Sequence, residues 1–247
     1  MNAISIFFQK PLDYVAVTNL QEKLVAARIR GDIPDVVLFL EHYTVITLGV
    51  RADMRHVLTP SEELEKKNIQ LVRTKRGGDI TWHGPGQLVL YPIIKLGERE
   101  ADAHGYLHNL EEIAIRTASD FNVRAFRRSG MTGAWTQAGK LAAIGIRLKR
   151  WITFHGMSLN VNPDLSGFEK IIPCGLKGES VTSLAAVLGR NCPALPEVRE
   201  RMAVHFSNVC ARKLIPYSKN DDSCLKLQKY VKPFQSALRS KMTLNAR

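Results

Sequence analysis

Apolar positions along this chain alternate between a period of two and a period near 3.6, which predicts interleaved strands and helices. Ile4 to Phe8 reads as a strand. Between Leu12 and Arg30, Val17, Leu20, Leu24 and Ala27 recur at steps of three and four, which predicts an amphipathic helix ending at Gly31. Val36 to Leu40 and Val45 to Leu48 are short apolar runs of strand type. Thr59, Pro60 and Glu62 fit the N-cap, first-turn and capping-box positions of a helix stopping near Asn68.

Further on, Ile69 to Thr74 and Leu88 to Leu96 read as strands flanking a glycine-rich segment, and Leu107, Leu110, Ala114, Ala118 and Phe121 trace one face of a helix. Ala134 to Gln137 and Leu141 to Leu148 predict two strands joined by a tight turn at Ala138, Gly139 and Lys140, followed by a strand from Trp151 to Val161. One helix is expected to begin near Thr182 and another to run from Pro196 to Ala211 with Val198, Met202, Phe206 and Val209 inward. The alternation of elements places the chain in the α/β class, of α+β type, with mixed β-sheets flanked by helices. Residues 1–211 are expected to form one domain, and residues 212–247, which mix prolines, charges and isolated aromatics, a basic tail or appendage.

Composition narrows the function classes. The chain has 247 residues, 45% of them hydrophobic, enough for one large domain. No apolar run approaches a membrane span and no basic residues precede an apolar stretch at the start, so a cytoplasmic location without membrane association is expected. The four cysteines form neither a C-x-x-C pair nor a zinc-type cluster, so no metal is predicted and reduced thiols are expected. Residues 212–247 carry nine Lys or Arg against two Asp, +7 of the net +12. Positive charge favours acidic partners, and charge alone does not choose between nucleic acid, phospholipid and acidic protein.

Four segments could carry chemistry. The run Arg76-Gly77-Gly78-Asp79-Ile80-Thr81-Trp82-His83-Gly84-Pro85-Gly86-Gln87 can bring bare backbone to a ligand, with Arg76 and His83 orienting a polar head group against the Trp82 ring. It lacks G-K-[ST], which excludes a P-loop. Pro173-Cys174-Gly175 sets a thiol between a rigid and a permissive residue after Ile171-Ile172, a pattern that presents sulfur at a strand end. Gly139-Lys140 opens an apolar strand bearing the small residues Ala142, Ala143 and Gly145, and His155-Gly156-Met157-Ser158 lies on another. Singly, each has a plainer explanation: a wide hairpin, a buried cysteine, a solvated lysine, a structural histidine.

In this order, the R-G-G-x-x-T-aromatic-H-G-P-G-Q run, the G-K pair and the P-C-G triplet resemble the octanoyltransferases of lipoate biosynthesis, relatives of the lipoate and biotin protein ligases. The resemblance extends from about Ile4 through Leu184. It implies the ligase-type catalytic fold and an ATP-independent acyl transfer without cofactor. In that reaction an octanoyl or lipoyl group passes from acyl carrier protein to a lysine of lipoyl domains, those of 2-oxoacid dehydrogenases and the glycine cleavage H protein. Carried over by position, Cys174 is the thioester nucleophile and Lys140 the charged partner of its sulfur. Arg76 through His83 match one substrate-binding stretch, Ala143, Ile144 and Gly145 a second, and Gly156, Met157 and Ser158 a third, the last two lining an acyl pocket. Trp82 stands where tyrosine or phenylalanine is frequent, and Met157-Ser158 where Leu-Ala is frequent, which bears on chain-length preference.

The resemblance implies a monomer. Its nearest rival is an ATP-dependent lipoate or biotin ligase, which has no requirement for P-C-G. A more distant rival is a basic nucleic-acid-binding module, for which the chain carries no motif.

Overall fold

The computed structural model describes residues 1–218 and 224–234. Eight strands form the larger sheet: β1 (Asn2–Phe7), β2 (Asp35–Leu40), β6 (Gln87–Ile93), β7 (Phe126–Arg128), β8 (Met131–Thr136), β9 (Gly139–Lys149), β10 (Ile152–Asn160) and β11 (Lys213–Pro216). Their order is β11-β1-β2-β6-β10-β9-β8-β7, parallel from β11 to β2 and antiparallel beyond. Three more, β3 (Val45–Leu48), β4 (Gln70–Arg73) and β5 (Ile80–His83), form a small sheet in which β3 is parallel to β4 and antiparallel to β5. Mixed sheets flanked by helices are the class expected from the periodicity.

Helix α1 (Tyr14–Arg30) makes the crossover between parallel β1 and β2. The Asp13 carboxylate accepts the Ala16 N–H at its start, and Gly31, in the left-handed region, closes it by donating to Ala27 and Arg28 carbonyls. Alternation along β2 explains the layers: Val37 and Phe39 join the core under α3 (Ala103–Ser119), α4 (Leu184–Leu188) and α5 (Leu195–Val209), while Val36, Leu38 and Leu40 pack against α1 on the other face. A third cluster lies under the small sheet, around Ile46, Ile80, Trp82 and Phe168.

The ladder between β6 and β10 is interrupted where Pro92, without an N–H, faces His155. His155 takes a left-handed φ of 55° and its freed N–H donates to the Gln21 side chain on α1. Thr153 Oγ1 repairs the neighbouring positions, donating to Pro92 O and accepting from Ile94 N–H.

Several expectations are corrected. The glycine-rich segment is not one loop, since residues 80–83 within it are strand β5. The helix after Thr59 is a short α2 (Ser61–Lys66) whose N-cap is Pro60, with no side-chain cap. Strand β7 had no clear period in the sequence. Lys140 belongs to strand β9 and not to the turn before it. Beyond residue 211 the described chain continues into the fold: Arg212 is fully buried, β11 extends the sheet beside β1, and the helical residues 224–234 bury Cys224, Leu227 and Val231 in the α1 core. The rest of the basic stretch, residues 219–223 and 235–247, lies outside the described residues.

Candidate active site

Lys140 and Cys174, separated by 34 positions, meet: Lys140 Nζ donates to Cys174 Sγ at 3.3 Å. The lysine is held from both sides. Its N–H donates to Ser180 O at 2.8 Å, its carbonyl accepts from Thr182 N–H at 3.0 Å, and it pairs across the sheet with Trp135. Its ammonium sits 5.2 Å from the Trp135 ring centre, an attractive cation–π placement for a side chain only 6% exposed. Gly133 on β8 makes room for the lysine stem, because a Cβ there would lie 2.7 Å from Lys140 Cε.

The thiol is on a single turn, Pro173–Gly175, rather than at a strand end. Cys174 itself has left-handed dihedrals, φ 57° and ψ 19°, uncommon for a residue with a Cβ. The turn is tied to its surroundings by Ile172 N–H donating to His56 O at 2.7 Å, and by an isolated bridge between Ile171 and Val57.

Beside the thiol lies a cavity open to solvent, lined by residues from all the segments singled out in the sequence. From the glycine-rich run come Arg76, Gly78, Asp79, Thr81 and His83; from β9, Ala143, Ile144 and Gly145; from β10, Gly156, Met157 and Ser158; and Cys174 completes it. Gly77, Ile80 and Trp82 do not line it. Strand alternation explains the last two: β5 turns Thr81 and His83 to the cavity, so Ile80 and Trp82 face the opposite core, where the Trp82 ring packs on Phe168 at 5.2 Å. The Trp82 ring therefore does not back a ligand head group. The Arg76 guanidinium donates to Thr47 O, Thr47 Oγ1 and Gly77 O and so shapes the loop, with one Nη1 hydrogen left over at the cavity. Gly145 is small for a related reason: a Cβ there would lie 2.8 Å from Gly77 O.

The cavity also meets Tyr91, which the sequence reading passed over, and His155, which taken singly reads as a structural histidine. A polar lattice surrounds them. His42 Nδ1 must donate to the Leu12 carbonyl, so its Nε2 accepts from the Tyr91 hydroxyl. His83 Nδ1 donates to Gln87 Oε1, and Gln87 in turn donates to Asn160. Burial holds His42 down to about 4 and pushes His83 well below the usual imidazole range. His155, with both ring nitrogens buried and unpartnered, is lowered to about 3 by burial and then by the Arg76 charge. These rings are neutral at pH 7, so the cavity wall is polar in places but uncharged at its histidines.

A further pair was missed because its members are far apart in sequence. His56 Nδ1 lies 2.5 Å from Asp79 Oδ2, against the Cys174 turn. Among the described residues, no group of three or more His, Cys, Asp or Glu is placed to hold a metal ion, and no helix is long and apolar enough to cross a membrane.

A family model described as the lipoyl protein ligase A/B catalytic domain matches residues 13–207. An octanoyltransferase of Chloroflexus aurantiacus is 43% identical, covering 85% of this chain and 96% of the relative. One of Geobacter metallireducens is 46% identical, covering 79% of this chain and 88% of the relative. Among solved structures, lipoate-protein ligase A bound with ATP superposes with a TM-score of 0.70 over 95% of both chains at 12% identity. A chain from the structure of a bipartite lipoate protein ligase and its E2 lipoyl domain of Thermoplasma acidophilum gives 0.68 over 95% of this chain and 92% of its own, at 13% identity. At such low identity these two likenesses speak for the fold alone.

Proposed function

Because this chain belongs to the lipoyl protein ligase A/B catalytic domain family, we propose that it carries an octanoyl group as a thioester on Cys174 between acyl carrier protein and the lysine of a lipoyl domain. It is an acyltransferase of protein lipoylation, as its identity to octanoyltransferases over most of its length supports. The observation that carries the mechanism is the 3.3 Å approach of the Lys140 ammonium to the Cys174 sulfur beside a cavity walled by small and apolar residues. The acceptors in this reading are the lipoyl domains of 2-oxoacid dehydrogenases and the glycine cleavage H protein. The enzyme acts as a monomer in the cytoplasm, with the residues assigned to its chemistry all within residues 1–211.

The chemistry follows from the pairing. An ammonium in contact with sulfur stabilises the thiolate, which is the nucleophilic form. Thiolate attack on the donor thioester exchanges one thioester for another, so the step is close to neutral in free energy and needs no ATP. As the donor sulfur leaves it takes a proton from Lys140, whose neutral amine then becomes a base for the second half. The acceptor amine attacks the Cys174 thioester, an amide forms, and the sulfur leaves as a thiolate. Amide formation makes this half downhill.

The fold is shared with ATP-using ligases, so an acyl-adenylate mechanism is the rival. Intact-mass measurement after incubation with octanoyl-acyl carrier protein in the absence of ATP separates the two. The expected result is a covalent octanoyl adduct that is lost in Cys174→Ser. An absolute requirement for ATP with free octanoate, or an adduct that persists in Cys174→Ser, would overturn the assignment.

A further inference from the structure

The acceptor amine arrives as an ammonium with three hydrogens and ends as an amide with one, so two protons must leave it. Lys140, having surrendered one proton during acylation, can take back only one. Water is a poor recipient of the other: an ordinary lysine, with a pKa of about 10.4, is neutral in only about one molecule in 2,500 at pH 7. The proton count therefore calls for a second base near the thioester.

The His56–Asp79 pair has the required form. Asp79 lines the same cavity as Cys174. Its carboxylate is clamped, with Oδ1 accepting from Asp53 N–H at 3.0 Å and Oδ2 facing His56 Nδ1 at 2.5 Å. A carboxylate partner makes Nδ1 the donor, which leaves Nε2 with a free lone pair, and Nε2 has no hydrogen-bond partner among the described residues. The ring rests on the nucleophile's turn: at Gly175, φ 70°, a Cβ would fall 3.0 Å from His56 Cε1 and 2.8 Å from Asp79 Oδ2. Glycine after the cysteine thus lets the pair pack against the turn that carries the thiol. The His56 side chain is 21% exposed, between the exposed apolar residues Met54 and Leu58, so a protein acceptor can reach it.

We propose that His56, oriented by Asp79, is the base that receives the first proton from the acceptor lysine. The step rests on the acyl-transfer reading above. Nε2 takes one proton from the ammonium, and the freed nitrogen pair bonds to the thioester carbonyl carbon. The carbon–sulfur bond breaks with its electron pair returning to Cys174 Sγ, and neutral Lys140 takes the second proton, which restores the ammonium–thiolate pair. Imidazolium at His56 then loses its proton to water. Asp79 is a positioning residue.

The test is a single-turnover experiment with the full chain, charged from octanoyl-acyl carrier protein and mixed with a lipoyl domain. The charged groups around His56 are Asp79, Asp53 and Arg55, and all three are kept. In His56→Gln, adduct formation is expected within about threefold of wild type, while transfer at pH 7 falls about 100-fold, the lower range for loss of a general base. That deficit should shrink as pH rises and the acceptor amine deprotonates unaided. Transfer within threefold of wild type, an equal loss in both half-reactions, or a deficit independent of pH would each overturn the proposal. Should His56→Gln fail to fold, Asp79→Asn serves: a folded Asp79→Asn that transfers at the wild-type rate overturns it. If the wild-type chain never acquires the adduct, it is the acyl-transfer reading that fails.

Discussion

Ala143→Leu would place three further carbons into the cavity beside Cys174. Ala143 on β9 pairs with Ser158 on β10 and Gly145 with Gly156, and these four present the strand face turned to the cavity, while the intervening Ile144–Met157 pair borders it but packs its side chains into the core under α3 and α5. Gly145 is a poor place for this probe, since any side chain there first strikes Gly77 O at 2.8 Å and would displace the Arg76–Asp79 loop. Ala143 is half-buried and already carries a Cβ on the face turned to the cavity. Each methylene withdrawn from water contributes about 0.8 kcal/mol, so displacing roughly three methylenes of an eight-carbon chain costs about 2.4 kcal/mol, or about 60-fold in kcat/KM. The assay compares kcat/KM for butanoyl, hexanoyl and octanoyl carrier-protein donors. Octanoyl transfer is expected to fall about 60-fold relative to butanoyl transfer, which should be little changed. An unchanged chain-length profile, or an equal loss for every donor, would refute the location of the acyl channel.

Acid should destabilise the fold. His42 and His155 are held neutral, at about 4 and about 3, whereas in the unfolded chain both bind protons near the ordinary 6.5. Stability is then fully present above 6.5 and declines as pH falls from there toward the folded values, on the order of 3 kcal/mol for His42 alone. The melting temperature should drop by roughly 10 °C between pH 7.5 and 5, and a flat profile would contradict the burial of these rings. Arg212→Met removes a fully buried guanidinium that donates to Asp35 and Glu100 and to the Cys210 and Lys95 carbonyls. Breaking such a pair typically costs about 3–5 kcal/mol, read in urea unfolding, and a loss under about 1 kcal/mol would mean that the segment after residue 211 is not braced there.

By itself the sequence determined the elements whose side chains obey one period over several turns. Val17, Leu20, Leu24 and Ala27 sufficed for α1 with its end at Gly31, and Val198, Met202 and Phe206 for α5, because local periodicity and capping residues are properties of neighbouring positions. Motifs also marked the four segments that converge on the cavity. Tertiary structure alone decided which residues of a motif face it: β5 shows Thr81 and His83 to the cavity and sends Ile80 and Trp82 to the other side, a choice set by sheet pairing. It alone buried Lys140, through bonds to Ser180 and Thr182 that no local pattern encodes, and brought His56 to Asp79 across 23 positions. The stretch after residue 211, aperiodic when read alone, was given its place by an exposed sheet edge at β1 and an apolar face on α1. Long-range pairings are fixed by the surfaces that the rest of the chain offers, and those surfaces exist only once it has folded.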